Sequence, residues 1–232
     1  MPSSSNHSSI TVPVITIDGP SGSGKGTISQ YLAGKLGWHH LDSGALYRLL
    51  AYAALQQALP LDDAPALVQL ASRLSVSYQL PTPDNPAIML DGIDVGQALR
   101  TEKCADAASK TAALPAVREA LLAWQRHYRQ PPGLVADGRD MGTVVFPDAT
   151  LKLFLTARPE VRAMRRYKQL INKEIVVDLE ELIKEVEARD QRDASRKASP
   201  LMPAGDAVIV DNSDQDEAHT LQQVLQAVHD VL

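Results

Sequence analysis

Residues 12–27 read VPVITIDGPSGSGKGT and decide the fold of the chain. The apolar run from Val12 to Ile17 is typical of a buried strand in a parallel sheet. The next segment, Gly19 to Thr27, matches the pattern G-x-x-x-x-G-K, and a helical pattern extends from about Lys25 to Leu36. A strand, a glycine-rich turn and a helix open a βαβ unit, so the sequence predicts an α/β fold.

The glycine-rich turn has the chemistry of a phosphate-binding loop. Glycines allow successive backbone N–H groups to surround one anion, and the amino end of the helix adds partial positive charge. Lys25 supplies a full charge for the β- and γ-phosphates, and Thr27 or Ser23 supplies a hydroxyl near Mg²⁺. An incidental glycine-rich turn with a lysine is the alternative, which the flanking strand and helix disfavour. The predicted ATP-binding residues are Gly19, Pro20, Ser21, Gly22, Ser23, Gly24, Lys25, Gly26 and Thr27.

Four further β runs alternate with helical segments along the rest of the chain. The strands are expected at 38–41, 134–137, 151–155 and 207–211, and the helices at 45–57, about 101–130, in the charged stretch before the last strand, and at 217–232. This alternation predicts a doubly wound five-stranded parallel sheet with helices on both faces. Alternating polar and apolar residues near 74–97 predict a small antiparallel insertion.

The composition excludes several classes of protein. Hydrophobic residues make up 44% and charged residues 22%, as in a folded domain, and the net charge of −5 disfavours a nucleic-acid coat protein. A single Cys104 rules out an internal disulfide and fits a reducing compartment. The chain has no run long enough for a membrane span, and its start lacks a secretory signal pattern. We therefore expect a cytoplasmic protein with a disordered tail at 1–11.

Charged residues follow two neighbouring strands of the predicted sheet. Asp137 ends the third strand, where a partner of hydrated Mg²⁺ is expected, and a helix-capping role is the alternative. Arg48 and Arg139 follow the second and third strands, and an arginine fork can hold a phosphate through two hydrogen bonds. Because both strand ends lie at the same edge as the phosphate loop, the pattern predicts a second anion site there.

Five segments resemble the bacterial cytidylate kinases, a family of phosphate-loop nucleoside monophosphate kinases. They are GPSGSGKGT at 19–27, LDSGALYR at 41–48, VREALL at 117–122, DGRDMGTVVFPDA at 137–149 and ARDQRD at 188–193. The resemblance implies phosphoryl transfer from ATP to CMP or dCMP, with Mg²⁺ as cofactor. It also implies a monomer, and the charge and hydropathy described above predict no nucleic-acid or membrane partner. The insertion near 74–97 is typical of the bacterial type.

The same resemblance implies the acceptor-binding residues. A carboxylate at Asp140 accepts a hydrogen bond from the cytosine amino group, whereas the carbonyl of uracil would face it unfavourably. Arg196 matches a position that contacts the monophosphate at either its base or its phosphate. The implied roles are base recognition by Ser43, Arg118 and Asp140, phosphate binding by Tyr47, Arg48 and Arg139, and sugar contacts by Arg189 and Asp193.

The stretch from Arg158 to Lys197 carries more basic than acidic residues. Arg158, Arg162, Arg165 and Arg166 recur at helical spacing, so we expect them on one face with little opposing charge. A polyphosphate would neutralise such a face, and the stretch is predicted to be a mobile lid. The predicted catalytic residues are Lys25, Arg139, Arg158, Arg162 and Arg166. The expected organisation is a core at 12–57, 131–157 and 198–232, a monophosphate-binding region at 58–130 and a lid at 158–197.

Other classes of phosphate-loop protein are less consistent with the sequence. A GTPase switch needs a D-x-x-G segment, which is absent, and the segment Asn172-Lys173-Glu174-Ile175 lacks the aspartate of a guanine reader. A kinase of a small alcohol such as shikimate would have little use for paired acceptor arginines. A nucleic-acid-binding ATPase is disfavoured by few aromatic residues. His39-His40 have no partner in view, and Cys104 is expected to be buried in an alanine-rich helix.

Overall fold

A computed structural model of the chain describes residues 11–74, 76–82, 85–172 and 174–232. Residues 1–10 of the predicted tail at 1–11 lie outside these ranges. The strands are β1 (Val14–Asp18), β2 (His39–Asp42), β3 (Val76–Thr82), β4 (Asn85–Leu90), β5 (Ile93–Asp94), β6 (Leu134–Gly138), β7 (Leu151–Thr156) and β8 (Val208–Asp211). The helices are α1 (Lys25–Leu36), α2 (Ser43–Gln56), α3 (Ala64–Ala71), α4 (Glu102–Thr111), α5 (Pro115–His127), α6 (Pro159–Ile171), α7 (Leu179–Ala194) and α8 (Glu217–His229). Within the described ranges, no helix combines the length and apolarity needed to cross a bilayer.

β1 is the central strand of a five-stranded parallel sheet with the order β2-β6-β1-β7-β8. Ile17 pairs with Asp137, and Asp18 pairs with Gly138 on one side and Phe154 on the other. All residues of β1 and β6 are buried, as expected for parallel strands that are covered on both faces. The predicted α/β sheet is therefore confirmed, with the end of β6 directly beside the end of β1.

Two hydrophobic cores lie on opposite faces of this sheet. Ile15 and Val135 belong to the core with α1 and α8, whereas Val14 and Leu134 belong to the core with helices α2 to α5. Successive residues of a strand point to opposite faces, so the central strands β1 and β6 contribute to both cores. The sheet is thereby fixed from both sides, and its carboxyl edge is a rigid support for the loops that follow the strands.

Smaller elements extend this framework. β3, β4 and β5 form a separate antiparallel sheet, which confirms the small antiparallel part of the predicted fold. The charged stretch before β8 is a pair of helices, α6 and α7, that pack through Ala163, Leu170 and Leu182.

Several boundaries differ from the prediction for local reasons. β2 runs one residue later than expected, and α2 begins at Ser43 because Asp42 Oδ1 accepts a hydrogen bond from the Ala45 N–H at 3.0 Å and caps the helix. The helix α3 was not predicted. It begins with Asp63 as a cap and has a proline in its first turn, both of which are typical helix-start signals.

Candidate active site

The phosphate loop joins β1 to α1 at the carboxyl edge of the sheet. Gly24 precedes α1 with a φ of 90° and no side-chain cap, so the first N–H groups of the helix remain open to an anion. At Gly19, an added Cβ would lie 2.0 Å from the carbonyl oxygen of Leu155, which permits only glycine. Five residues of the loop line a cavity of about 770 Å³, namely Ser21, Gly22, Gly24, Gly26 and Thr27.

Lys25 is held against this loop in a way that lowers its affinity for protons. Its Nζ donates to the carbonyl oxygen of Pro20 at 3.0 Å. Burial and the nearby positive charge of Arg139 lower the pKa of Lys25 to about 7, although Asp137 and Asp42 act in the opposite direction. The loop is therefore short of negative charge, and a bound polyphosphate would restore the full charge of the ammonium group.

Asp137 lies beside Lys25 at the end of β6 and is ionised. Ser29 Oγ donates to its Oδ2 at 2.6 Å, and His40 Nε2 lies 3.1 Å from the same oxygen. Burial acts to raise the pKa of Asp137, but the bond and charge of His40, the charge of Lys25 and the Ser29 bond leave it below its usual range. For His40, burial acts to lower the pKa, and Asp137 more than compensates and raises it. His40 thus has a partner that the sequence did not indicate.

The donor atoms at this edge fit a magnesium ion that arrives with a nucleotide. Asp137 offers an ionised carboxylate, Thr27 is exposed in the first turn of α1, and Ser23 Oγ is buried with no hydrogen-bond partner in the described ranges. Mg²⁺ usually takes one or two protein oxygens and completes its shell with phosphate and water. The described residues contain no group of three or more His, Cys, Asp or Glu that would hold a metal.

A second set of charged side chains forms buried pairs beyond the end of β6. Arg118 makes an ion pair with Asp140, and its guanidinium lies 5.3 Å from the centre of the Tyr47 ring. Asp193 accepts a hydrogen bond from Arg139 Nε at 2.8 Å and is also paired with Arg196. Predicted acceptor residues from α2, α5, α7 and the segments just after β6 and α7 are thus brought together in one buried cluster of charged side chains.

This cluster contains buried polar atoms that have no hydrogen-bond partner within the described part of the chain. They include the Nε atoms of Arg118, Arg189 and Arg196. Burial and the charge of Arg139 lower the pKa of Arg189 to about 10, which marks a local excess of positive charge. Buried polar groups without partners cost free energy, so a polar, anionic ligand would stabilise the cluster.

Two further residues of the predicted acceptor site, Ser43 and Arg48, lie in different surroundings. Ser43 Oγ is buried and donates to Gln125 Oε1 at 2.9 Å, which the sequence did not indicate. Arg48 lines the same cavity as the phosphate loop. Cys104 is buried, as expected, and its sulfur lies 3.4 Å from the carbonyl oxygen of Arg48.

Asp18 connects the two sites. It ends β1 and accepts hydrogen bonds from the N–H groups of Met141 and Gly142, each at 2.8 Å. Burial raises its pKa to about 7 against the effect of these bonds, with a smaller contribution from the charge of Asp140. β1 leads into the phosphate loop, and Asp140 directly precedes Met141, so this carboxylate fixes one site relative to the other. The sequence signal that could have indicated this role of Asp18 is a carboxylate at the end of an apolar strand.

The lid arginines have partners, contrary to the expectation of little opposing charge. Arg162 is buried, donates to the carbonyl oxygen of Ser21 at 3.1 Å and forms an ion pair with Asp190. Arg165 donates to the side-chain and backbone oxygens of Asn212, and Arg166 is paired with Glu102. Arg162, Arg165 and Arg166 line the cavity together with the phosphate loop. Their charges are balanced by oxygens that a polyphosphate would have to replace.

Arg158 is separate from the other lid arginines. It precedes α6 as its capping residue, its side chain is 54% exposed, and it forms an ion pair with Asp214 at 2.6 Å. It is not among the residues that line the cavity. The expected common face with Arg162 and Arg166 does not form because the helix begins one residue later, at Pro159.

The fold and the site define a nucleotide-binding protein of the phosphate-loop class, with a cluster of buried arginine–aspartate pairs at the same edge of the sheet. A family model described as cytidylate kinase matches residues 15–230. The chain therefore belongs to the cytidylate kinase family.

Curated relatives agree with this family over nearly the whole chain. A cytidylate kinase from Aeromonas salmonicida is 55% identical over 216 residues, which cover 93% of this chain and 92% of that protein. The cytidylate kinase of Bordetella bronchiseptica is 54% identical over 218 residues, or 94% of each chain. The cytidylate kinase of Shewanella oneidensis is 51% identical over 221 residues, or 95% of this chain and 96% of that protein.

Proposed function

We propose that this protein transfers the terminal phosphoryl group of ATP to CMP or dCMP and releases ADP with CDP or dCDP. One observation carries the proposal: Asp18 fastens a phosphate loop to a pocket of buried arginine–aspartate pairs at the same edge of the sheet. Membership of the cytidylate kinase family supports the same reaction.

The donor nucleotide occupies the phosphate loop in this proposal. The open N–H groups at the start of α1 and the ammonium of Lys25 bind its phosphates. Arg162 and Arg166 exchange their protein partners for phosphate oxygens when the nucleotide enters. Each exchange keeps the guanidinium groups paired, so the cost of removing them from Asp190 and Glu102 is offset by the incoming charge.

The acceptor nucleotide occupies the pocket beyond β6. Asp140 accepts a hydrogen bond from the cytosine amino group, and Arg118 donates to the ring carbonyl. This pairing discriminates against uracil, whose carbonyl replaces the amino group. Ser43 completes the base site. The acceptor phosphate is proposed to contact Tyr47, Arg48 and Arg139, and the sugar to contact Arg189 and Asp193. Arg196 is proposed to contact either the base or the phosphate.

The reaction needs positioning and charge stabilisation more than acid–base catalysis. The attacking atom is a phosphate oxygen that is already ionised near neutral pH, so no general base is required. Lys25 and Arg139 stabilise the charge of the transferring group from its two sides. Asp137 and Thr27 would hold Mg²⁺, which neutralises phosphate charge when it is bound.

The proposed division of the chain into regions corresponds to these roles. The core comprises 12–57, 131–157 and 198–232, the monophosphate-binding region comprises 58–130, and the lid comprises 158–197 and closes over both nucleotides. We further propose that the protein acts as a monomer in the cytoplasm, with nucleotides as its partners.

A coupled assay of ADP release tests the reaction. ATP and Mg²⁺ are supplied with CMP, dCMP, UMP, AMP, GMP or shikimate in separate reactions. We expect CMP or dCMP to give the highest kcat/KM. Turnover led by AMP or shikimate would contradict the assignment of the acceptor pocket, and tight ATP binding without turnover on any acceptor would contradict the kinase activity itself.

A further inference from the structure

A compact hydrogen-bonded cluster joins Asp137 to two residues that are assigned above to neither nucleotide, Ser29 and His40. Ser29 from α1, His40 from β2 and Asp137 from β6 meet there, with Ser29 Oγ at 2.6 Å and His40 Nε2 at 3.1 Å from Asp137 Oδ2. The Ser29 and His40 atoms are themselves 2.9 Å apart. Ser29 and Asp137 are buried, so these bonds are shielded from water.

The chemistry of the three groups determines where the protons lie. An ionised carboxylate only accepts hydrogen bonds. The nitrogen of His40 that faces Asp137 is Nε2, so Nε2 must carry a proton. The Ser29 hydroxyl has two acceptors within reach, Asp137 Oδ2 and the carbonyl oxygen of Gly26 at 3.0 Å. The bond to the charged oxygen is the shorter and the stronger of the two. Oδ2 of Asp137 is therefore supplied with two donors.

The other carboxylate oxygen is in a different situation. Within the described ranges, no residue donates a hydrogen bond to Asp137 Oδ1, although the carboxylate lies in the field of Lys25. Ser29 belongs to the helix whose first turn contains Lys25 and Thr27. The cluster thus ties one oxygen of Asp137 to the helix that presents the phosphate-binding groups and leaves the other oxygen available.

We propose that His40 and Ser29 are positioning residues that fix the carboxylate of Asp137 for the hydrated Mg²⁺ of the bound nucleotide. This inference rests on the proposed function of Asp137 as a magnesium partner. Hydrogen-bond partners of a metal-binding carboxylate set its orientation, and their loss typically weakens metal binding by about 10- to 100-fold.

Four variants separate positioning from simple packing. His40→Leu replaces the hydrogen-bond donor with an apolar side chain, whereas His40→Gln retains an N–H donor at the end of the side chain. Ser29→Ala removes the second donor with a minimal change in volume. His39→Leu is the matched control, because His39 is the neighbouring histidine, is exposed, and bonds to the backbone of Pro131 instead.

Calorimetric titration with ADP, once with Mg²⁺ and once with EDTA, measures the effect without turnover. We expect His40→Leu and Ser29→Ala to weaken ADP binding by about tenfold or more with Mg²⁺ and by less than about twofold with EDTA. His40→Gln should recover most of the loss, and His39→Leu should match the wild type. In turnover, kcat should fall while the KM for CMP stays near the wild-type value.

The outcomes that overturn the inference are distinct from a failure of the proposed function. Equal losses with Mg²⁺ and with EDTA, or no loss in either variant, would reduce the cluster to a packing role. If the wild type itself bound ADP equally well with Mg²⁺ and with EDTA, the magnesium role of Asp137 would fail, and the inference with it. Phosphorylation of CMP by the wild type reports separately on the reaction.

Discussion

Lys25 shows at the scale of a single residue how the ligand-free site is arranged for an anion. Its ammonium is half-buried between Arg139 and the carboxylates of Asp42 and Asp137, and burial with the Arg139 charge lowers its pKa to about 7. A lysine in this state is partly neutral near physiological pH. A polyphosphate that binds beside it favours the charged form, so binding and protonation are linked.

The first prediction concerns this linkage. At pH 8 the Lys25 side chain of the free protein is mostly neutral, and a bound triphosphate restores its charge, so binding takes up a proton. Affinity for a non-hydrolysable ATP analogue should therefore fall as pH rises above about 7, by up to about tenfold per pH unit. Calorimetry in two buffers of different ionisation enthalpy measures the proton uptake directly.

Lysine variants make this prediction specific. Lys25→Met should abolish the proton uptake as well as weaken binding. Lys35→Met, an exposed lysine at the end of α1, should leave both unchanged. Proton uptake that persists in Lys25→Met would assign the effect to another group.

The second prediction concerns the choice of base. Asp140→Asn keeps an oxygen that can accept from Arg118, but it turns part of the acceptor into an amide donor. Because a buried hydrogen bond to a charged group contributes about 1.5–3 kcal/mol, the ratio of kcat/KM for CMP to that for UMP should fall by about 10- to 100-fold. Steady-state kinetics with both acceptors gives this ratio.

Asp91→Asn provides the control for this substitution. Asp91 lies in an exposed turn between β4 and β5, so its replacement should leave the ratio unchanged. An unchanged ratio in Asp140→Asn, with CMP still preferred, would contradict the role of Asp140 as the base reader.

Two ion pairs connect the helices of the proposed lid, α6 and α7, to α4. Arg166 of α6 is paired with Glu102, and Arg192 of α7 is paired with Asp106 at 3.2 Å, so both lid helices are tied to α4. These pairs are at least partly exposed, and such pairs contribute about 0–1 kcal/mol. They hold the lid near the cavity weakly enough for a nucleotide to displace them.

The third prediction tests this competition at the level of the lid. Glu102→Gln removes the carboxylate that competes with phosphate for Arg166. The KM for ATP should fall by up to about fivefold, the conversion of about 1 kcal/mol, while the melting temperature changes little. Kinetics over a range of ATP concentrations at low salt provide the test, with Glu119→Gln on the exposed face of α5 as the control. A higher KM for ATP in Glu102→Gln would indicate that Glu102 assists binding.

The elements that the sequence predicted best are those with strong local patterns. β1, the phosphate loop and α1 follow from an apolar run, glycines and a helical pattern that lie next to each other in the chain. α3 was not predicted because it has only 8 residues, too few for a clear helical repeat of apolar positions. The face of the lid was predicted incorrectly at Arg158, since the spacing of arginines does not reveal that the helix begins at Pro159.

At the scale of the whole molecule, the sheet brings together residues that are far apart in the chain. Ser29 and Asp137 are 108 positions apart, and Asn212 reaches Ser23 across 189 positions. The motif residues were predictable because each carries its own chemical signal. Their partners Ser29, His40, Gln125 and Asn212 were not, because only the packed fold determines which polar side chains meet.

The architecture also explains why two anion sites can cooperate without a long pathway between them. Adjacent strands β1 and β6 end side by side, and Asp18 joins the loop after one to the loop after the other. In the proposed function, the donor and acceptor sites are therefore fixed on one edge of the sheet, and the proposed lid helices supply the movement. Such fixed positioning is the main source of catalysis that phosphoryl transfer requires.

The most direct measurement follows the phosphoryl group itself. The protein is incubated with Mg²⁺, CMP and ATP labelled with ³²P at the γ-phosphate, and the products are separated by thin-layer chromatography. The account predicts that the label appears in the β-phosphate of CDP in proportion to the ADP formed, and that the Lys25→Met variant loses this transfer. Label released as inorganic phosphate, at the same rate with or without CMP, would contradict the central claim that the two sites hold donor and acceptor for direct transfer.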